Sequence, residues 1–486
     1  MALKNKMTAA ALAVLGALFY IVSMPPIGWW WAGPLGLCLL FKSGVKNFWS
    51  WLLVGLCLHL VLYSWLTKVS ILGWIGLSLF ADCFWIIPFY LYPKWPSRIG
   101  IAALWITLEG LRAWIGWGWL PLAASMVGCP VILNWARLGG EALTGFLIVF
   151  AVLAVVKAIE SSNPKQKIIR AREFFLFLIL MMLGGVTLGR LPVEKKEIVR
   201  FGLVQPNSPT KELYTDSDYA KEAADLRRLS DSLKDQRPDA IFWPEEAPAW
   251  SPANDDTQLR AWLESGARSL GAPIVSGLLW HATDRSDDYY NAVGVVDPKT
   301  GLNPQAYRKR RLVPFGEYIP FSRWKWARSL TPIVASFAAG EHGVCLPVKT
   351  GGTIIHLWPL VCYEDIFDFL SDEEEKQADV IGVFINDGWF GNGATQQHAA
   401  HSVLRAMEQG IPVVRISNNG LSGVVMPDGS YRYLDENREI GKVMAVRLEK
   451  IDTPFSHAGS RWRWGILACG IVAFGFARKN KRIGIK

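Results

Sequence analysis

The sequence is poor in the residues that staple or ligate small domains. It holds seven cysteines in 486 residues. Five of them, Cys38, Cys57, Cys83, Cys129 and Cys469, fall in or near apolar runs, where a thiol packs as a small hydrophobe. That pattern does not suggest a disulfide scaffold. Only Cys345 and Cys362 lie in the more polar part of the chain, and the sequence neither supports nor excludes their pairing. No His/Cys spacing matches a zinc site. There is no internal repeat and no long low-complexity linker. The first apolar segment, behind Lys4 and Lys6, lacks an A-x-A-like cleavage site and is followed by further apolar segments. It therefore reads as a retained helix rather than a cleaved signal.

What the chain does have is apolar and aromatic mass: 51% hydrophobic residues and 24 tryptophans. This mass is unevenly spread. Residues 1–192 are dominated by long apolar runs, 195–455 read as an ordinary water-facing domain, and 464–477 are apolar again. Apolar segments near 8–24, 29–41, 50–66, 70–92, 99–120, 141–159, 173–190 and 464–477 are candidate membrane helices. A span needs roughly 20 apolar residues, so the second and last are short. The expected organisation is a seven-span membrane domain over 1–194, an α/β domain over 195–455, and a membrane helix with a basic tail over 456–486. Sixteen Lys and Arg residues fall in the loops and termini on one side, against Lys68 and Arg137 on the other. By the positive-inside rule both termini are cytoplasmic and the 195–455 domain is extracytoplasmic. The net charge of +9 is then largely topology signal, with some attraction to anionic lipid, and calls for no nucleic acid.

Within 195–455, apolar β-branched runs at 198–204, 239–243, 273–280, 291–297, 353–361, 380–386, 411–416, 422–426 and 443–448 predict strands. Helical patterns fall near 217–235, 255–270 and 395–409. Pattern alone leaves open which strands pair and whether there are one or two sheets.

Three strand ends carry reactive side chains. LVCYEDIF (360–367) runs an apolar strand into Cys362, beside Tyr363, Glu364 and Asp365. A thiolate nucleophile needs a base or a positive field; a buried structural cysteine fits the same pattern. IFWPEEA (241–247) ends at Pro244, which stops the strand and turns Glu245 out of the ladder. Glu245 there is a candidate proton acceptor, with Glu246 competing for the role and a surface carboxylate as the plainer alternative. Lys309, in the cluster Arg308-Lys309-Arg310-Arg311, is either a fixed cation for an oxyanion or part of a solvated charge run.

The flanks of these residues resemble the nitrilase, or carbon-nitrogen hydrolase, superfamily: WPE-x-A at 243–247, Y-x-K-x-x-LVPFGEY at 307–318 and CYE at 362–364. The extended LVPFGEY, NDGWFG (386–391), Gln397-His398, Arg405-Ala406-x-Glu408 and Arg415 to Gly420 resemble its membrane-bound branch, the apolipoprotein N-acyltransferases. The resemblance implies a nitrilase-like αββα sandwich on a membrane base of about eight spans, in the bacterial inner membrane. It implies Glu245 as general base and acid, Lys309 as oxyanion stabiliser and Cys362 as nucleophile. Glu317, Tyr363 and Glu364 are implied as supporting residues. The implied reaction moves an acyl chain from a glycerophospholipid, through a Cys362 thioester, to the amino group of diacylglyceryl-cysteine at the start of an apolipoprotein. A monomer is expected, and the reaction requires no cofactor or metal. Where the branch shows a K-W pair after LVQ-G-N-I-P-Q, this chain reads LVQPNSPTKELY (203–214), placing Tyr214 at the tryptophan. Tyr214, Trp324 and Trp326 are expected to face lipid, the last two in FSRWKWARSLTPIVASF (321–337), whose tryptophans and cations suit a membrane interface.

Two rival readings survive. A membrane-tethered amidase would use the same three residues and let water resolve the thioester. A non-catalytic lipid or lipoprotein chaperone would have no need for all three. Within the membrane segment, Glu109 and Arg112 are three apart and share a helix face. With His59 and Asp82 they are expected to pair or line a polar cavity.

Overall fold

The computed structural model describes residues 2–210, 215–248, 250–282, 288–320, 337–368, 374–391 and 393–459. Tyr214, Trp324, Trp326 and the apolar stretch 464–477 lie outside the described residues. The chain divides into two compact units: Met1–Pro192 with Phe390–Gln409 and Asp452–Lys486, and Val193–Trp389 with Gly410–Ile451.

The first unit is helical. Its elements are α1 (Ala2–Ser23), α2 (Ala32–Lys42), α3 (Phe48–Leu62), α4 (Ile71–Leu91), α5 (Arg98–Ile115), the single turn α6 (Pro130–Leu133), α7 (Ala136–Glu160) and α8 (Pro164–Gly189). Polar caps fix where they begin. Asn47 accepts from Trp49 N, Ser70 from Gly73 N, Ser97 from Gly100 N, and Asn163 caps α8 with Pro164 at its first turn. Each cap satisfies backbone donors that a helix start leaves open. Helices stand at all seven expected positions, but only four are long and apolar enough to cross a membrane: Lys6–Ser23 within α1, and α4, α7 and α8. Caps and turns shorten α2 and α3, while α5 has 18 residues but carries Arg98, Glu109 and Arg112. α2 has 11 residues, α3 has 15, and α5 stops at Gly116 instead of running to 120.

The chain between Phe390 and Gln409, including α11 (Ala394–Gln409), clusters with these helices, although in sequence it falls in the α/β part. Two polar networks explain why. Gln397 Oε1 accepts from Trp65 Nε1 at 2.9 Å and from Trp119 Nε1 at 2.8 Å, and its amide donates to Leu62 O at 3.0 Å. Further along, Arg405 pairs with Glu141 at 2.9 Å and Glu408 at 3.0 Å, and Glu408 Oε1 caps Glu141 N at 2.7 Å. The cap is possible because α7 breaks at Gly139–Gly140 and restarts at Glu141. Gly140 takes φ +68°, and a Cβ there would strike the Phe455 ring, so no other residue fits easily. Glu109 and Arg112 line one cavity together with His59 and Tyr63. Arg112 donates to Trp119 O at 2.8 Å, and Glu109 accepts from Leu122 N at 2.8 Å.

The second unit answers the question of sheets: there are two. The strands are β1 (Val193–Gln205), β2 (Ala240–Trp243), β3 (Ile274–His281), β4 (Tyr289–Asp297), β5 (Gly301–Leu302), β6 (Tyr307–Arg308), β7 (Leu346–Lys349), β8 (Ile354–Val361), β9 (Val380–Ile385), β10 (Val413–Ser417), β11 (Gly423–Val425), β12 (Tyr431–Tyr433) and β13 (Ile440–Ile451). One sheet runs β13-β1-β2-β3-β4-β5, with β6 on β4; the other runs β12-β11-β10-β9-β8-β7. The centres are parallel, β1-β2-β3 and β8-β9-β10, and both carry antiparallel edges. The Phe242 and Phe384 rings stack at 6.0 Å between β2 and β9, so the sheets pack face to face. On the other side of the first sheet lie α9 (Asp216–Asp231) and α10 (Thr257–Leu270), whose Leu226, Leu229, Leu259 and Leu263 pack with Ile241, Trp243 and Ile274. β2 and β8 are buried along nearly their whole length, as parallel central strands should be. Their carboxyl ends are where α/β folds place ligand chemistry.

Candidate active site

Glu245 follows β2 by two residues. Proline at 244 ends the ladder, and the turn is then pinned to β3: Ala247 N donates to Gly277 O at 2.9 Å and Gly277 N to Pro244 O at 3.1 Å. Gly277 is required for this contact. A Cβ there would sit 2.6 Å from Glu245 Cα and 2.7 Å from Glu246 N. Glu246 takes φ +49°, a left-handed conformation a non-glycine residue holds only when its surroundings demand it.

Cys362 repeats the device at the end of β8. It also takes φ +49°, and the chain enters a 3-10 turn, Cys362–Ile366. One buried carboxylate, Glu364, holds this turn. It accepts from Val361 N at 2.8 Å, Tyr307 Oη at 2.8 Å, Arg310 N at 2.7 Å and Arg311 N at 3.1 Å. Glu364 therefore ties the cysteine turn to the segment that carries Lys309. The next residue, Asp365, is paired with buried Arg415 at 3.0 Å, and Arg415 also reaches Asp387 of NDGWFG at 3.9 Å. The Tyr363 ring packs edge-on against Phe367.

Lys309 lies just past β6, its backbone N donating to Asn291 O at 2.8 Å. Its ammonium is 1% exposed and sits between two carboxylates, 2.7 Å from Glu317 Oε1 and 3.4 Å from Glu245 Oε1. Asn291, inside β4, donates to the same two oxygens at 2.8 Å (Glu245) and 3.2 Å (Glu317). Glu317 is fixed from its other oxygen by Val313 N at 2.8 Å.

The electrostatics follow from this packing. Burial lowers the Lys309 pKa, but Glu317 and Glu245 outweigh it and hold the ammonium well above its ordinary range. Burial raises the Glu245 pKa; Lys309 opposes, and the Glu317 charge adds to the rise. Cys362 is raised well above a normal thiol, by burial first and by the Glu245 charge next, with Lys309 pulling the other way. Its resting form is the thiol, beside a carboxylate able to receive the proton and an ammonium able to stabilise an anion. Glu245, Lys309 and Glu317 all act on Cys362 through space.

The structure thus brings together Glu245, Lys309, Cys362 and Glu317, with Tyr363 and Glu364 in the turn after the thiol. Asn291 went unread in the sequence, although an amide amid the apolar run AVGVV and its flanking tyrosines was a visible signal. So did the clamping role of Glu364 and the Asp365–Arg415–Asp387 chain, which join residues far apart in sequence. Among the described residues no group of three His, Cys, Asp or Glu side chains converges as metal ligands would, and neither Cys345 nor Cys362 forms a disulfide.

Comparison with known proteins finds two family matches. Residues 200–442 match the Carbon-nitrogen hydrolase family, and residues 16–154 match the Apolipoprotein N-acyltransferase N-terminal domain. The chain belongs to the carbon-nitrogen hydrolase family. Its amino-terminal match places it in the apolipoprotein N-acyltransferase branch. Proteins named apolipoprotein N-acyltransferase from Rickettsia typhi and Pseudomonas syringae pv. tomato are similar to it. The first is 25% identical over 458 residues, 93% of this chain and 90% of that protein; the second is 26% identical over 430 residues, 82% of this chain and 79% of that protein. A solved CN-hydrolase superfamily protein from Xanthomonas campestris covers 52% of this chain and 91% of its own, at 20% identity and a TM-score of 0.39.

Proposed function

We propose that this chain is an apolipoprotein N-acyltransferase that works through a thioester on Cys362. The acyl donor is a glycerophospholipid and the acceptor is the free amino group of diacylglyceryl-cysteine at the start of a lipoprotein. The observation that carries the reading is the buried Glu245–Lys309–Glu317 cluster acting on a thiol at a strand end, in a chain that also carries four helices apolar and long enough for a membrane.

In the first step the Cys362 sulfur attacks the ester carbonyl and its proton passes to Glu245. The carbonyl oxygen becomes an oxyanion, and the Lys309 ammonium supplies its counter-charge. The C–O bond then breaks, and Glu245 returns the proton to the departing lysophospholipid hydroxyl. In the second step the amine attacks the thioester. Glu245 takes the amine proton and delivers it to the leaving sulfur, which restores the thiol. Splitting one difficult transfer into two easier ones is the gain of covalent catalysis. Glu317 and Asn291 hold Lys309 and Glu245 in register. No metal or organic cofactor has a task in these steps.

The membrane arrangement is part of the proposal. The domain boundaries are those given by hydropathy: 1–194, 195–455 and 456–486. The chain crosses a bacterial inner membrane about eight times, the α/β domain lies outside the cytoplasm and both termini inside, and the protein acts as a monomer. Two lipid-anchored substrates then meet the site in two dimensions, which raises encounter and limits orientation. Tyr214, Trp324 and Trp326 face lipid in this reading.

The test is transfer itself. Purified protein in mixed micelles, given phospholipid and a synthetic diacylglyceryl-cysteinyl peptide, is expected to yield a peptide heavier by one amide-linked acyl chain. Free fatty acid with no acylated peptide would instead establish the hydrolase.

A further inference from the structure

A cavity of about 190 Å³ opens in the second unit where β1 ends. Asn207, Asp218, Lys221, Glu222, Asp225 and Glu439 line it, so four carboxylates face one ammonium. Three of the four are engaged. Asp218 closes a capping box with Thr215 at the start of α9, and Asp225 and Glu439 both pair with Arg228. Glu222 is different. It is 8% exposed and makes no hydrogen bond or ion pair with any described residue. A carboxylate buried without a partner is costly. Such a group either takes up a proton or meets a cation. No three of these groups converge to ligate a metal ion, and the cavity is far larger than one bare ion requires.

Its position matters as much as its charge. Burial, then the Glu245 and Glu317 charges, raise the pKa of Glu246, the residue next to the proposed base, and Glu222 adds a smaller rise; burial first, then Glu222 and Glu246, raise Tyr219. Burial and the neighbouring Asp225 carry the Glu222 carboxyl up to about 7, so it is partly protonated near neutrality. A cation placed against it would restore its full charge.

We propose that this cavity is a subsite for a positively charged group, an ammonium or guanidinium, carried by one of the two substrates and seated against Glu222. The proposal rests on the acyl-transfer reading. Two sources carry that chemistry: the ammonium of a zwitterionic donor headgroup, and a Lys or Arg side chain just after the first residue of the acceptor.

The two half-reactions separate them in the full-length protein and its Glu222→Gln variant. Acyl-enzyme formation is measured with phospholipids of matched acyl chains carrying either ethanolamine or glycerol headgroups. Transfer from preformed acyl-enzyme is measured with diacylglyceryl-cysteinyl peptides bearing Lys or Gln at the next positions. The expected result is a loss of about tenfold in kcat/KM for the cationic member of one pair, the scale of one charge-assisted contact, with its uncharged partner nearly unchanged. Loss on the headgroup pair assigns the donor; loss on the peptide pair assigns the acceptor. The uncharged substrates also report that the variant is folded. No change in either pair, or an equal loss on all four substrates, overturns the subsite. Absence of any acyl-enzyme in the wild type would overturn the acyl-transfer reading instead.

Discussion

Lys309 shows how much of this site is decided by single side chains. Its ammonium is fixed between Glu317 and Glu245, and removing the charge leaves two buried carboxylates facing each other. Lys309→Met is expected to slow acyl-enzyme formation about 10²- to 10³-fold, the scale of one lost oxyanion donor, measured by single-turnover labelling. The pH dependence has a definite sign. Glu245 must be ionised to take the thiol proton, and burial holds its pKa above the ordinary 4.5. The rate of acyl-enzyme formation should therefore fall as pH drops through a value above 4.5, with the apparent constant belonging to the coupled cluster rather than to one residue. An acid limb at or below 4.5 would contradict the burial argument. Cys362, Glu245 and Lys309 were legible because strand-end position and flanking motif coincide. Asn291 was not, because an amide in a strand announces no chemistry until its neighbours across the sheet are known.

At the level of elements, the site depends on two strand ends that leave the ladder in left-handed turns, at Glu246 and Cys362. Gly277 in β3 is the support of the first. Gly277→Ala would push a methyl to within 2.6 Å of Glu245 Cα, so the turn must shift. The expected outcome is a fall in single-turnover rate larger than any fall in KM for lipid, with the thermal transition lowered by a few degrees, about the effect of a 1–2 kcal/mol strain in a domain of this size. Unchanged rate would show that the turn is not held by this contact. The central strands and the three helices of the α/β part were read from hydrophobic runs and periodicity. The short strands β5, β6, β7 and β12 were not, since two to four residues carry too little pattern. The partition of α11 was also hidden: its sequence sits between β9 and β10, and only the Gln397 and Arg405–Glu141–Glu408 networks show where it packs.

On the scale of the whole molecule, hydropathy located seven helices, of which four are long and apolar enough to cross a membrane. Apolar composition continues through turns such as Gly116–Pro121, where backbone geometry and caps, rather than hydropathy, end the helix. The charge count still makes a firm prediction. Reporter fusions or cysteine labelling at both termini should read cytoplasmic, and sites in 195–455 should read extracytoplasmic. A cytoplasmic α/β domain would overturn the proposed access to lipoprotein substrates while leaving the chemistry of the site intact.

The central claim is the acyl-enzyme on Cys362, and one labelling measurement tests it most directly. Wild-type protein and Cys362→Ala are incubated with acyl-labelled phospholipid and no acceptor, then treated with neutral hydroxylamine. The account predicts covalent label on the wild type alone, released by hydroxylamine as a thioester is. Equal label on the alanine variant, or none on folded wild type across several phospholipids, would contradict it.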